Sequence, residues 1–267
     1  MLIINYGGGT NSTALLTEAV RRGIFPDVIL FADTGSERPE TYAYLDVMQD
    51  YLARVHFPPI QVLRWIRSQA PHTGEFIALH DWCEAGETLP SKAFGLSGCT
   101  TKWKQQPLDK HVRTLPSAQA TWARGDKVTR WIGYDADEPE RATRMFEKNP
   151  EPEKYTWRAP LVEWDMGRVE CVESIRAAGL PQPGKSSCWM CPSMTAAEVR
   201  RLGVDHPQLL ARALRMESAA VRAGKIGGSG KGTRKGLGGR MNWTEMLAGS
   251  AEQAPSEDVA CGCYDGE

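Results

Sequence analysis

The chain opens on Leu2-Ile3-Ile4-Asn5-Tyr6-Gly7-Gly8-Gly9-Thr10-Asn11-Ser12-Thr13-Ala14-Leu15-Leu16. The apolar run reads as a strand, the three glycines as a tight turn, and the stretch from Thr13 as a helix. That order is a recipe for holding phosphate. Glycines let backbone N–H groups approach an anion, and the following helix adds the positive end of its dipole. Asn11, Ser12 and Thr13 supply side-chain donors and a cap. Three consecutive glycines cost backbone entropy, which weighs against a plain strand-to-helix turn. No Lys-Ser or Lys-Thr closes the cluster, which excludes a Walker loop, and the spacing is not the G-x-G-x-x-G of dinucleotide folds.

The same alternation continues outward. A helix is expected from Thr13 to Arg22, with Leu15, Leu16, Ala19 and Val20 on one face and Gly23 as its stop. Val28-Ile29-Leu30-Phe31-Ala32 is a continuous apolar run, as in a strand buried on both faces, and Asp33-Thr34-Gly35 ends it. A helix over Pro39 to Arg54, a strand over Ile60 to Arg64, a helix over Lys102 to Arg113 interrupted at Pro107, and a strand over Val128 to Tyr134 follow. Strand-helix alternation implies an α/β fold with a doubly wound, mostly parallel sheet. A helical and irregular C-terminal region completes it. Residues 1–215 are expected to form the nucleotide-binding domain, and 216–267 a Gly-rich basic loop, a short helix from Asn242 and a cysteine-containing tail. Ligands of such sheets bind beyond the carboxyl ends of strands, where Gly7, Asp33 and Tyr134-Asp135 fall.

Composition sets the outer bounds. The chain has 267 residues, 41% hydrophobic, enough for a packed core, and a net charge of −1 makes no global case for nucleic acid. No apolar run has membrane length and no basic-then-apolar leader is present, so a soluble, cytoplasmic protein is expected. Seven cysteines, an odd number without a leader, argue against a disulfide framework.

Four blocks together carry a family resemblance. They are the glycine loop, Ala32-Asp33-Thr34-Gly35-Ser36-Glu37-Arg38-Pro39-Glu40-Thr41, Cys99-Thr100-Thr101-Lys102-Trp103-Lys104, and Ile132-Gly133-Tyr134-Asp135-Ala136-Asp137-Glu138. In this order they resemble the phosphoadenosine phosphosulfate (PAPS) reductase family of the adenine-nucleotide α-hydrolase-like superfamily, the PP-loop ATP pyrophosphatases. The loop of that superfamily is written S-G-G-x-D-S; here Gly7 stands for its first Ser and Asn11 for its Asp. The resemblance covers about the first half of the chain. It implies that Gly7, Gly8, Gly9, Asn11 and Ser12 hold nucleotide phosphates, with Asp33, Thr34 and Gly133 along the crevice. It implies further that Lys102 and Lys104 sit near phosphate or sulfonate oxygens, with Arg141 a second anion ligand. The alternative for the two lysines is a solvated helix face; for Glu37 and Glu40 the simpler reading is acidic enrichment of a helix's first turn.

The cysteines supply a second chemistry. Cys188-Trp189-Met190-Cys191-Pro192 is a CxxC, whose spacing lets two sulfurs grip one metal or cluster. One reading is a [4Fe–4S] cluster on Cys99, Cys188, Cys191 and a tail cysteine, Cys263; zinc on the same set and a metal-free redox pair are alternatives. Cys83 and Cys171 are read as inert. Sulfonucleotide reductases carry a nucleophilic cysteine in a C-terminal E-C-G-x-H-like motif. Ala260-Cys261-Gly262-Cys263-Tyr264 keeps the Cys-Gly and lacks both the Glu and the His, so Cys261 is a candidate nucleophile without an activating base, or a ligand.

Two catalytic expectations follow. As a reductase, the protein would bind PAPS or adenylyl sulfate, Cys261 would attack sulfur, and a thiol donor such as thioredoxin would release sulfite. As an ATP pyrophosphatase with Mg2+, it would adenylylate an acceptor for sulfur or nitrogen insertion into a nucleotide or nucleic acid. The four-block resemblance makes the first the main expectation; the missing tail His and the CxxC favour the second, its alternative. A third reading is a zinc-stabilised nucleic-acid-binding protein without catalysis, using the basic stretch 222–240. Of nine tryptophans, Trp189 between the paired cysteines is placed to shield a cluster, and the five histidines show no ligand spacing.

Overall fold

The computed structural model describes residues 1–67, 74–96, 98–147, 151–226, 234–239 and 241–249. In chain order the elements are β1 (Leu2–Asn5), α1 (Thr10–Arg21), β2 (Val28–Asp33), α2 (Pro39–Arg54), β3 (Ile60–Arg64), β4 (Ile66–Arg67), β5 (Glu75–Phe76), α3 (Leu79–Ala85) and a 3-10 turn (Ser91–Phe94). Then come α4 (Gly98–Thr100), a π turn (Thr101–Gln105), α5 (Gln106–Thr114), α6 (Pro116–Ala123), β6 (Val128–Ile132), α7 (Pro139–Glu147) and β7 (Tyr155–Arg158). The helices α8 (Pro160–Glu163), α9 (Arg168–Ala177), α10 (Ala196–Asp205), α11 (Pro207–Arg222) and α12 (Trp243–Ala248) follow.

The residues fall into two compact units that interleave along the sequence. The first is Met1–Ala32, Pro39–Leu63 and Gln106–Ser186; the second is Asp33–Arg38, Arg64–Gln105 and the described residues from Ser187 on. The helices after Ser187 share a unit with segments from the first half of the chain.

A five-stranded sheet in the order β3-β2-β1-β6-β7 is the frame, with β1 parallel to β2 and β6, and β6 parallel to β7. Alternation along the strands sends side chains to two apolar layers. Ile4, Ile29, Phe31 and Trp131 meet α1, α2 and α9 through Leu15, Leu16, Met48, Leu52 and Ile175. Ile3, Val28, Leu30, Ala32 and Val128 meet α5 and α6 through Leu108, Val112 and Ala118. Helices on both faces make the sheet doubly wound, as the apolar run Val28–Ala32 requires. Each fully buried Leu or Ile contributes about 1.5–3 kcal/mol relative to exposure, so these layers dominate the stability of the frame.

The strand order reverses direction at β1: the chain passes outward to β2 and β3, then returns to add β6 and β7 on the other side. The β1–β6 boundary is thus the switch point, the place where loops diverge and leave a crevice.

In the second unit, β4 and β5 form an antiparallel ribbon, and α3, α10, α11 and α12 enclose a core of Leu79, Cys83, Val199, Leu202, Met216, Ala220 and Trp243. Glu217 of α11 is buried and accepts backbone N–H groups of Leu237 at 2.6 Å and Trp243 at 3.0 Å, which ties the start of α12 to the core. No helix of the described residues is long and apolar enough to cross a membrane.

Candidate functional site

In the first unit the glycine loop leaves β1 at the switch point. α1 begins at Thr10, three residues before the sequence pattern places it, because Gly9 is the N-cap in extended backbone. Ser12 closes the turn: its Oγ lies 3.0 Å from the Gly9 carbonyl, to which it donates, and 3.3 Å from the Gly9 N–H. Thr13 turns inward to the Tyr6 hydroxyl at 3.3 Å. Two of the three expected side-chain donors are therefore engaged in building the loop.

Close approach accounts for the glycines. Gly8 has φ +78°, and a Cβ there would sit 2.9 Å from Thr41 Cγ2; at Gly9 it would meet Ser186 Oγ at 2.8 Å. Gly133, just after β6, faces the loop from the other side of the switch point, and a Cβ on it would lie 2.8 Å from the Ser12 nitrogen and 2.9 Å from Asn11 carbon. Ser186 is one contributor that sequence reasoning missed, since nothing local links it to residues about 177 positions earlier.

Asn11 is the informative side chain. It is 6% exposed; its Oδ1 accepts from Arg168 Nη1 at 3.1 Å, while its Nδ2 is buried with no hydrogen-bond partner. An orphaned buried donor costs about 1–3 kcal/mol, and the acceptor nearest to this one is the Asp135 carboxylate. Asp135 lies beside it, also buried, with Oδ1 unpartnered. Burial raises the Asp135 carboxyl above its ordinary range, Glu138 adds to the rise, and the neighbouring Asn11 amide moderates it without completing a bond.

The two helix starts here differ. At α9, Gly167 N–H donates to Glu170 and Arg168 N–H to Asp137 at 2.7 Å, so carboxylates occupy that N-terminus. The first turn of α1 carries no acid. Its free N–H groups, the Asn11 amide and the Arg168 guanidinium together suit an anion. Arg141, expected as an anion ligand, pairs with Glu138 at 2.5 Å and lies over the Tyr134 ring.

In the second unit a small cavity, about 20 Å³, is lined by Thr34, Leu79, Pro90, Lys92, Cys99, Thr100, Lys104, Cys188, Cys191 and Pro192. Three of the four cysteines expected as ligands, Cys99, Cys188 and Cys191, thus line one cavity, although Cys99 and the CxxC stand about ninety residues apart. The CxxC is a turn, with Cys191 N–H bonded to the Cys188 carbonyl at 3.0 Å. It is stapled to the 36–38 segment: Trp189 N–H donates to the Ser36 carbonyl at 2.9 Å and Arg38 N–H to the Ser187 carbonyl at 3.2 Å.

Glu37 packs behind this cavity's lining rather than in a helix's first turn, correcting the sequence reading: α2 starts at Pro39, and Glu37 is buried. Its Oε1 accepts from Thr34 Oγ1 at 3.0 Å and stands 3.5 Å from Lys104 Nζ and 3.7 Å from Cys188 Sγ, which is 3.2 Å from Thr34 Oγ1. Burial pushes the Cys188 thiol well up, Glu37 adds to the rise, and Lys104 opposes it. Burial likewise raises Cys191. Asp33 is used locally, its carboxylate bonded to the Gly35 N–H and to Arg64 Nε, both at 2.7 Å.

Lys102 and Lys104 part ways. Lys104 lines the cavity, whereas Lys102 Nζ lies over three indole rings, 3.5 Å from Trp82, 4.2 Å from Trp65 and 4.6 Å from Trp103. Trp189 packs instead against His80 and Arg212. Cys83 and Cys171 are buried, and burial raises each thiol to about 12, as befits inert core residues. Cys261 and Cys263, and the centre of the basic stretch at 227–233, lie outside the described residues.

No protein-family model and no curated protein matches the chain. Among solved structures, it is similar to the U34-tRNA thiolase NcsA from Methanococcus maripaludis with its [4Fe-4S] cluster. The identity is 12% and the TM-score 0.38, with 88% of this chain and 75% of that one covered. A likeness of that degree carries no weight for function, which rests on the residues themselves.

Proposed function

We propose that this chain is a PP-loop-type enzyme that binds ATP on the glycine loop and holds an iron–sulfur cluster on Cys99, Cys188 and Cys191. An acceptor oxygen attacks the α-phosphorus, the bond to pyrophosphate breaks, and the adenylylated acceptor is left open to a sulfur or nitrogen nucleophile. The observation that carries the reading is the cradle at the start of α1: a glycine loop closely packed against Gly133 and Ser186, a helix whose own first turn carries no acid, and the Arg168 guanidinium bonded to Asn11. The loop's N–H groups and Arg168 would bind the phosphates, with Mg2+ accompanying the nucleotide.

Cys99, Cys188 and Cys191 line one cavity. A cluster would take one thiolate per iron, and zinc on the same cysteines is the second reading. Leu79, Pro90 and Pro192 keep water away, and Lys92 and Lys104 offset the negative charge of thiolates. Such a cluster supplies electron-transfer or Lewis-acid chemistry when bound.

The sulfonucleotide-reductase reading depends on Cys261, for which the sequence provides no activating His or Glu. Anaerobically purified protein separates the two. ATP binding by calorimetry, lost in Asn11→Ala, together with no mass gain after incubation with PAPS in the absence of reductant, is expected. A single added sulfonate that disappears in Cys261→Ser, or a folded protein without ATP affinity, overturns the proposal.

A further inference from the structure

The segment from Gly98 to Gln105 is unusual in that its two faces do different work. It starts as the single α turn α4 and widens into the π turn Thr101–Gln105 before α5. π turns are rare and cluster at functional sites. In such a turn the hydrogen bond runs from residue i to i+5, so the turn is wider than a 3.6-residue repeat and redirects the side chains that follow it. Cys99, in α4 just before the turn, and Lys104, within it, both line the cysteine cavity. Lys102 and Trp103 project elsewhere, into the group of indoles formed with Trp65 and Trp82.

The indoles pack on one another with centroids 5.1 to 5.8 Å apart, and Trp103 is fixed by its Nε1–H bond to the Ile77 carbonyl at 3.2 Å. An ammonium within reach of three indole faces is held by their quadrupoles, and partial desolvation strengthens the attraction. The other anchor of the segment is the bond from Cys99 N–H to Ser91 Oγ at 2.6 Å. That bond holds the beginning of the turn; its widened part is held by Lys102 and Trp103 among the indoles and by Lys104 beside Glu37.

We propose that Lys102 is a positioning residue: its ammonium, clamped by Trp65, Trp82 and Trp103, locks the π turn that brings Cys99 and Lys104 to the same wall of the cavity. Lys102 therefore touches neither nucleotide nor cluster, and its charge serves geometry. The role in cluster assembly rests on the cluster reading given above; the role in placing Cys99 does not.

The test uses the full chain, with Lys102→Met to remove the charge at similar length and Lys102→Arg to restore a cation. The first readout is the rate at which N-ethylmaleimide modifies Cys99 in the metal-free protein, followed by peptide mass mapping. Loss of the clamp is expected to speed Cys99 labelling about fivefold or more, with Lys102→Arg near wild type. The second readout is iron content and the electron paramagnetic resonance spectrum after anaerobic reconstitution, expected to fall by at least half in Lys102→Met and to recover in Lys102→Arg. Should Lys102→Met fail to fold by circular dichroism, Trp82→Phe, which keeps a weaker aromatic face, is expected to give an intermediate labelling rate. Wild-type labelling in whichever of Lys102→Met and Trp82→Phe is folded, or no rescue by Lys102→Arg, overturns the proposal. Wild-type protein that takes up no iron refutes the cluster reading alone, since Cys99 labelling still decides the role of Lys102.

Discussion

The glycine loop and the cysteine cavity are built by opposite strategies. The loop is local: four consecutive residues between β1 and α1, Tyr6 to Gly9, set its path, and distant residues such as Gly133 and Ser186 only have to stay out of the way or lean in. The cavity is assembled from segments around residues 34, 79–104 and 188–192, and no short stretch defines it. The loop leaves polar groups unsatisfied, at Asn11 Nδ2 and Asp135 Oδ1. The cavity instead surrounds its thiols with apolar walls and a buried Thr34–Glu37–Cys188 contact. On the function proposed above, the first region would take an anion that comes and goes and the second would hold a resident group.

The sharpest way to break that contrast is a crossed pair of substitutions. Gly133→Ala drives a Cβ to within 3 Å of the backbone of Asn11 and Ser12, atoms that move only with the loop itself. Overpacking of this kind costs about 1–3 kcal/mol of stability, and a displaced loop is expected to lose ATP affinity at least about tenfold. Cys188→Ser is expected to abolish iron uptake. Calorimetry and iron analysis on both variants should show each defect without the other. If Gly133→Ala also empties the protein of iron, or Cys188→Ser also abolishes ATP binding, the two regions are not separable in function.

A smaller effect tests the phosphate assignment. Arg168→Gln keeps a donor for the Asn11 carbonyl oxygen and removes the charge. A charge-assisted hydrogen bond is worth about 1.5–3 kcal/mol, so ATP should bind about ten- to a hundredfold more weakly, with the melting temperature nearly unchanged. Unchanged ATP affinity would place the phosphates away from Arg168.

What the sequence disclosed follows the same division. The loop, the switch-point strands and the apolar run Val28–Ala32 were legible because a strand, a turn and a helix each write their period locally. Helix starts were less so: Gly9 caps α1 with backbone alone, and Ser12 folds back on it, so α1 begins at Thr10 without a polar cap to announce it. The widening at Thr101–Gln105 has no signature in a 3.6-residue pattern, which is why Lys102 and Lys104 read as one pair; Pro107 is not a break in a long helix but lies in the first turn of α5. Glu37 read as helix decoration because its partners Thr34, Lys104 and Cys188 are spread over about 150 residues. Arg168 and Ser186 carried no local signal at all. The sulfurs were found because CxxC is local and Cys99 sits in a motif, not because their meeting was visible.

The smallest expected effect concerns the loop's unpaired acid. Burial holds the Asp135 carboxyl above its ordinary value of 3.8. In that case the folded state binds more protons than the unfolded one between the two values, so stability falls as pH rises through that window and the loss persists at neutral pH. Replacing Asp135 by Asn removes the titration while keeping the shape. Glu217 in the second unit is also raised by burial and contributes a response of the same sign, so the relevant quantity is the difference between Asp135→Asn and wild type at each pH. That difference should favour the variant more at pH 7 than at pH 3.5, read as denaturant midpoints along the pH series. A difference that is constant with pH would mean that Asp135 titrates as in an open chain, and that the polar deficit distinguishing the loop from the cavity rests on Asn11 alone.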